Sequence, residues 1–189
     1  MTTAPHRIGV IPMGDIPAIV PKIIAAHISG YLNLEAVVLD AVGDPDYAVD
    51  RQRLQYNVAT ILQHLESQSF GPLVKVIGIL NVDLFVPVFS HVLGQARQGG
   101  KVALMSLHRI GQSAHGLNES SSPVLERAAK IALHELCHLY NLVHCQDRRC
   151  LMHFSGSLAD LDQLPFSFCR YCAQFIREAT RRVESHQNR

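Results

Sequence analysis

His134-Glu135-Leu136-Cys137-His138-Leu139-Tyr140-Asn141-Leu142-Val143-His144 is the stretch from which the chemistry of this chain, and much of its fold, can be read. It ends a longer run of helical periodicity that opens at Ser122-Pro123, an N-cap serine with proline at the first helical position, and has Glu126 in the first turn. These signals predict a helix over about 123–141, roughly 27 Å long at 1.5 Å per residue. His134 and His138 are four apart, so both imidazoles leave one face of that helix and can share a Zn²⁺. Glu135 is turned about 100° away from His134, too far round to be a ligand beside the histidines but well placed to hold water on the metal. His144 comes six residues after His138 and would sit on the wrong face if the helix continued. The chain must therefore break between them. Asn141 marks the break, because Asn is the non-glycine residue that best tolerates the left-handed backbone ending a helix. Three imidazoles then leave the fourth position of a tetrahedral ion open for water, as a catalytic site requires.

Cys145 follows His144 directly, Cys150 comes after four more residues, then Met152 after one, and the pair Cys169-Arg170-Tyr171-Cys172 completes the pattern. Two short-spaced cysteine pairs are a standard closed Zn–S₄ set, although the spacing alone also admits an iron–sulfur cluster or buried free thiols. With Asn141 in place of glycine, the histidine string closely resembles the metzincin zinc-peptidase motif. The cysteines and Met152 that follow narrow this to a resemblance to the archaemetzincin family, carried by residues 134–172. The length of the spacer before the CxxC pair is a second departure, which only alters a loop.

The resemblance implies an α/β (α+β) fold: a mixed twisted sheet with an antiparallel edge strand, an active-site helix below it, and a small C-terminal helical subdomain stapled by zinc. It implies one metallopeptidase domain over 1–189, with an upper part at about 1–144 and a lower part at about 145–189. His134, His138 and His144 would bind a catalytic zinc, Glu135 would be the general base that activates its water, and Met152 would be the Met-turn residue under the metal. Cys145, Cys150, Cys169 and Cys172 would hold a second, structural zinc. An open His₃ site gives up its ion more readily than a closed Cys₄ site, so partial loss of the catalytic zinc is expected. The competing reading is a zinc-stabilised peptide-binding protein whose catalytic site is silent or weakly metallated.

The first half reads as alternating strand and helix. Strands are expected at Arg7–Ile11, Glu35–Leu39 and Leu73–Leu80, and helices at Ile16–Tyr31 (with Pro21 marking a late start) and Asn57–Gln68. This βαβαβ order predicts a mainly parallel sheet with right-handed crossovers. Val86–Val92 and Lys101–Leu107 are further strand candidates, the second expected to be the edge on which an extended peptide pairs. A last helix is expected over Cys169–Glu184, with Phe175, Ile176, Ala179 and Val183 as its apolar stripe. Among the other polar residues, Cys137 reads as core, His153 as a hydrogen-bonded structural residue and Asp83 as a turn cap. His108 and His115 read as exposed.

Composition bounds the rest. The 189 residues suffice for one substantial core, and 48% apolar against 17% charged rules out disorder as a description of the whole chain. A net charge of +1 offers no footprint for nucleic acid or an anionic membrane. No apolar run reaches membrane-spanning length. No basic start followed by an apolar stretch opens the chain, so a cytoplasmic location is expected and the cysteines read as metal ligands rather than disulfides. The expected partner is a peptide substrate, with no nucleic acid and no membrane; no feature points to a particular oligomer.

Overall fold

Short apolar runs alternate with amphipathic ones through the first half of the chain, and each run becomes a strand or a helix in turn. The computed structural model describes residues 7–111 and 121–186, with side chains to Arg181; His115 and the side chains of Val183 and Glu184 lie outside the described residues. Strand β1 (Arg7–Pro12) leads to helix α1 (Ile19–Leu32) and β2 (Glu35–Val38). A 3₁₀ turn at Asp46–Ala48 precedes two very short strands, β3 (Val49–Asp50) and β4 (Gln55–Asn57). Helix α2 (Val58–Glu66) and β5 (Leu73–Leu80) follow. Then come β6 (Leu84–Val86), β7 (Phe89–Val92), β8 (Gly94–Ala96) and β9 (Val102–Ser106). The chain finishes with α3 (Ser122–Leu139), α4 (Leu158–Gln163) and α5 (Arg170–His186).

The principal sheet has the order β2-β1-β5-β9-β8. Its first four strands are parallel, and β8 runs antiparallel to β9 with Gly94 opposite Met105 and Ala96 opposite Ala103. Helices α1 and α3 cover one face and α2 the other, each over its own apolar cluster. Such a parallel sheet, covered on both faces, demands near-continuous apolar strands, and β9 is buried at all five positions. That burial corrects one expectation: Lys101–Leu107 contains an interior strand, while the antiparallel edge is the three-residue β8 beside it.

A second correction concerns Val86–Val92. Pro87 has no N–H to give a ladder, and the segment folds as a hairpin of β6 and β7 rather than as one strand. With β3 and β4 it forms a separate four-stranded sheet, order β3-β4-β6-β7. Helix α1 starts late, as Pro21 suggested, and ends on Asn33 in the left-handed region. Asn57 caps α2, its side chain accepting from the backbone N–H groups of Ala59 and Thr60. No helix among the described residues is long and apolar enough to cross a membrane.

Candidate metal centre

Helix α3 lies under the β8 edge of the sheet, and the two meet with almost no gap. A Cβ added to Gly94 would sit 2.8 Å from Glu135 Cγ and 2.9 Å from Ile131 Cγ2. Glycine therefore lets the edge backbone lie directly on the helix that carries the histidines. The helix starts one residue earlier than expected, with Ser121 in the N-cap position but its hydroxyl making no capping bond, which places Pro123 in the first turn. Glu126 lies beyond that turn and pairs instead with the buried Lys130 at 2.7 Å.

The end of α3 explains how His144 reaches the histidines. The Leu142 N–H donates to the Cys137 carbonyl at 3.1 Å and the Asn141 N–H to that of His138 at 3.0 Å. Together with φ 67° at Asn141, these bonds make a Schellman motif, with Asn141 in the position usually taken by glycine. The Gly99 N–H also donates to the His138 carbonyl at 3.0 Å, so the turn after β8 clasps the helix end. The buried Leu142 and Cys137 supply the apolar contact that accompanies this motif. Cys137 is thus core, as its context suggested.

His134, His138 and His144 come together, with one ligand nitrogen of each within 4.8 Å of the others. His134 Nδ1 lies 2.9 Å from the Leu151 carbonyl and His138 Nδ1 lies 2.7 Å from that of Leu142. A carbonyl only accepts, so both Nδ1 atoms carry the proton and both Nε2 lone pairs are left for a metal. Burial pushes His134 down to about 4 and also holds His138 and His144 below the usual histidine range. All three rings are neutral at neutral pH, the form that coordinates metal. Burial acts oppositely on Glu135, raising its carboxyl to about 8. Among the described residues that carboxyl has neither hydrogen bond nor ion pair. Such a donor set fits zinc.

Cys145, Cys150, Cys169 and Cys172 form a second group, their sulfurs also within 4.8 Å of one another. Backbone N–H groups point at three of them: Asp147 at Cys145 (3.4 Å), Cys169 at Cys150 (3.3 Å) and Cys172 at Cys169 (3.5 Å). The hydrogen bonds around Cys169, the Cys172 N–H first, lower its pKa, whereas burial raises those of Cys150 and Cys172. No disulfide joins any of them. The fully buried Met152 lies on the same loop, which is closed by Cys145 N–H to Met152 O and His153 N–H to Cys150 O, each 2.8 Å. His153 Nδ1 bonds the Cys145 carbonyl at 2.9 Å, the structural role expected of it.

Other placements differ from the sequence reading. Asp83 is not a turn cap; both its oxygens bind Arg109 at 2.6 Å, holding its carboxyl below the usual range. His108 is half-buried, and its N–H donates to Ser106 Oγ. The reading missed Arg127, which is buried on α3, binds Asp162 of α4 through two nitrogens and also reaches the Ile110 carbonyl. Two cations three residues apart on the apolar side of a helix, Arg127 and Lys130, were its visible signal. Also missed was Phe154, whose ring packs on His144.

Comparison with known proteins adds a further set of findings. The model of peptidase family M54 matches residues 24–178. An archaemetzincin from Methanopyrus kandleri is 34% identical, over 82% of this chain and 85% of its own. One from Methanocaldococcus jannaschii is 31% identical over 91% and 93%. The crystal structure of the Methanopyrus kandleri archaemetzincin superposes with a TM-score of 0.81 at 31% identity, covering 93% of this chain and 96% of that one. That of the Archaeoglobus fulgidus archaemetzincin, complexed with malonate, gives 0.76 at 30% identity, covering 89% and 99%.

Proposed function

We infer, from the premise that this chain belongs to peptidase family M54 and is a zinc metallopeptidase, that His134, His138 and His144 hold its catalytic zinc and Glu135 is its general base. The observation that carries this reading is the convergence of three neutral imidazoles, two of them with Nδ1 committed to backbone carbonyls, beside a carboxyl without a partner of its own among the described residues. Zinc held there supplies a Lewis acid that acidifies water and polarises the carbonyl of a peptide bond.

The chain's own residues supply the rest. Glu135 takes the proton of the attacking water on a carboxylate oxygen and returns it to the departing amide nitrogen. Met152, fully buried on the loop after His144, would serve as the Met-turn residue, an apolar floor to the site. An extended peptide adds to the sheet along β8, whose other side is already paired with β9. Residues 1–189 act as one domain, the cleft lying between the part up to His144 and the part after it. Cys145, Cys150, Cys169 and Cys172 hold a second, structural zinc, making two ions per chain, and this closed site stiffens the loop that delivers His144.

The test is Glu135→Ala. It is expected to reduce peptide hydrolysis by at least about 10²-fold, the usual scale for a lost general base, while zinc content and peptide affinity stay at the wild-type level. Hydrolysis at the wild-type rate would remove Glu135 from this role. A wild-type chain that carries both ions, binds peptide and still does not cleave it would instead favour a peptide-binding protein.

A further inference from the structure

The three imidazoles are not held alike. His134 and His138 stand on a helix, and each donates from Nδ1 to a backbone carbonyl. His144 stands on a loop, is exposed, and has no hydrogen bond to its ring among the described residues. Its ring lies against other rings: His134 at 5.2 Å between centroids, His138 at 4.9 Å, and Phe154 at 5.3 Å, inclined at 63°. An imidazole on a flexible segment has two free torsions, and its lone pair faces the metal in only a small part of their range. A partner outside the ligand set must restrict them. For His144 that partner is Phe154, in an edge-to-face arrangement that aromatic pairs favour.

The backbone makes this contact a built one. Cys145 and His153 form a bridge, reinforced by Cys145 N–H to Met152 O and by His153 Nδ1 at the Cys145 carbonyl. The bridge is parallel, with His144 just before Cys145 and Phe154 just after His153, so it anchors the backbone next to each ring, and the ring contact itself closes the 5.3 Å between them. Phe154 is 56% exposed, too much for its conformation to be explained by core packing.

We propose that Phe154 is the positioning residue of the third imidazole, serving His144 as the Leu151 and Leu142 carbonyls serve His134 and His138. This rests on the reading of the three histidines as a metal site. It accounts for how a ligand outside the helix acquires a fixed direction without an acceptor for its second nitrogen.

The experiment is a Co²⁺ titration of the chelator-stripped full-length chain as wild type, Phe154→Leu, Phe154→Tyr and His144→Ala. Thiolate-to-cobalt charge transfer in the near ultraviolet reports the sulfur site, and Co²⁺ bound per chain after that signal has saturated reports the imidazole site. Phe154→Leu is expected to weaken Co²⁺ binding at the imidazoles about 10-fold or more, the range for partners outside the first ligand set, with the thiolate signal unchanged. Phe154→Tyr restores wild-type binding, because it keeps the ring, and His144→Ala loses the imidazole-site ion. Wild-type affinity in Phe154→Leu, with His144→Ala defective, would overturn the proposal and leave the metal site intact. Loss of the thiolate signal in Phe154→Leu would also overturn it, because the ring would then be shaping the loop rather than the imidazole. Wild-type binding in His144→Ala would instead bring down the metal-site reading itself, and this proposal with it.

Discussion

Two groups of donor atoms lie next to each other in this chain and are built on opposite plans. The imidazole group takes two of its three members from a rigid helix, leaves all three at least partly exposed, and leaves the nearby carboxyl of Glu135 without a partner among the described residues. The cysteine group has two of its four members buried and three sulfurs receiving backbone N–H groups. One is partly open to solvent; the other has half of its donors buried. They are joined by the peptide bond between His144 and Cys145 and by a hydrogen bond from His134 Nδ1 to the carbonyl of Leu151, the residue after Cys150. A site that has to exchange its occupants can be left loose on one side when a neighbour that exchanges nothing fixes its back.

That asymmetry can be broken from either end. Cys150→Ser is expected to have the larger effect. Losing the ion of a structural site costs more than about 4 kcal/mol, or at least about 8 °C in Tm for a chain of this size. Through Leu151 it should also reduce zinc retained at the imidazoles. His138→Ala should remove one ion and the hydrolytic activity but leave the cysteine-site ion in place, with Tm lower by no more than about 4 °C. Metal analysis with thermal melts checks both. Equal losses in the two variants would mean that the groups form one cooperative unit and the contrast is false.

An intermediate effect concerns pH in the chain holding only its cysteine-site ion. The folded values of the three imidazoles lie below the unfolded value of 6.5, His134 at about 4, so the unfolded chain takes up their protons first. Their contribution to stability is present above pH 6.5 and is lost as pH falls toward 4. Glu135 runs the other way: raised from 4.5 to about 8, its contribution is present below pH 4.5 and is lost as pH rises through 8. Three groups outweigh one, so Tm should peak near pH 6.5 and decline on both sides. Zinc at the imidazoles should flatten that curve. Melts from pH 4 to 9 with and without added zinc test this, and a profile indifferent to zinc would sink it.

The smallest expected effect sharpens the comparison at the helix end. Asn141→Gly should change stability by no more than about 0.5 kcal/mol, because glycine adopts the left-handed backbone freely. Asn141→Val, β-branched at φ 67°, should cost about 1–2 kcal/mol and loosen zinc at the imidazoles while the cysteine site keeps its ion. Denaturant unfolding read alongside metal content separates these outcomes.

How much could be read from residues alone follows the same physics. Helix α3 and its break were legible because proline, periodicity and Asn141 each carry a local conformational preference that the fold obeys. Strands β1 and β5 were legible because burial on both faces demands an unbroken apolar run. The small second sheet was not: a strand of two residues, such as Val49–Asp50, shows no alternation, and its pairing is decided by partners far along the chain. Edge strand β8 was missed for the related reason that Gly94-Gln95-Ala96 has almost no strand propensity and owes its place to β9 and α3. Of the candidate site, residues fixed by covalent spacing were readable. Phe154 and Arg127 were not, because their partners, His144 and Asp162, are chosen by tertiary packing.

The loop that fixes the back of His134 has a further consequence, one of timing. Its closure draws on Cys169 and Cys172, which leave the ribosome after every imidazole of the cluster and after Glu135. Helix α3 and its histidines are therefore made before the last two sulfurs of the group that flanks Leu151. On the proposed reading, the loop behind His134 is secured only once the beginning of α5 has been made, so the imidazoles gain their last support late in synthesis.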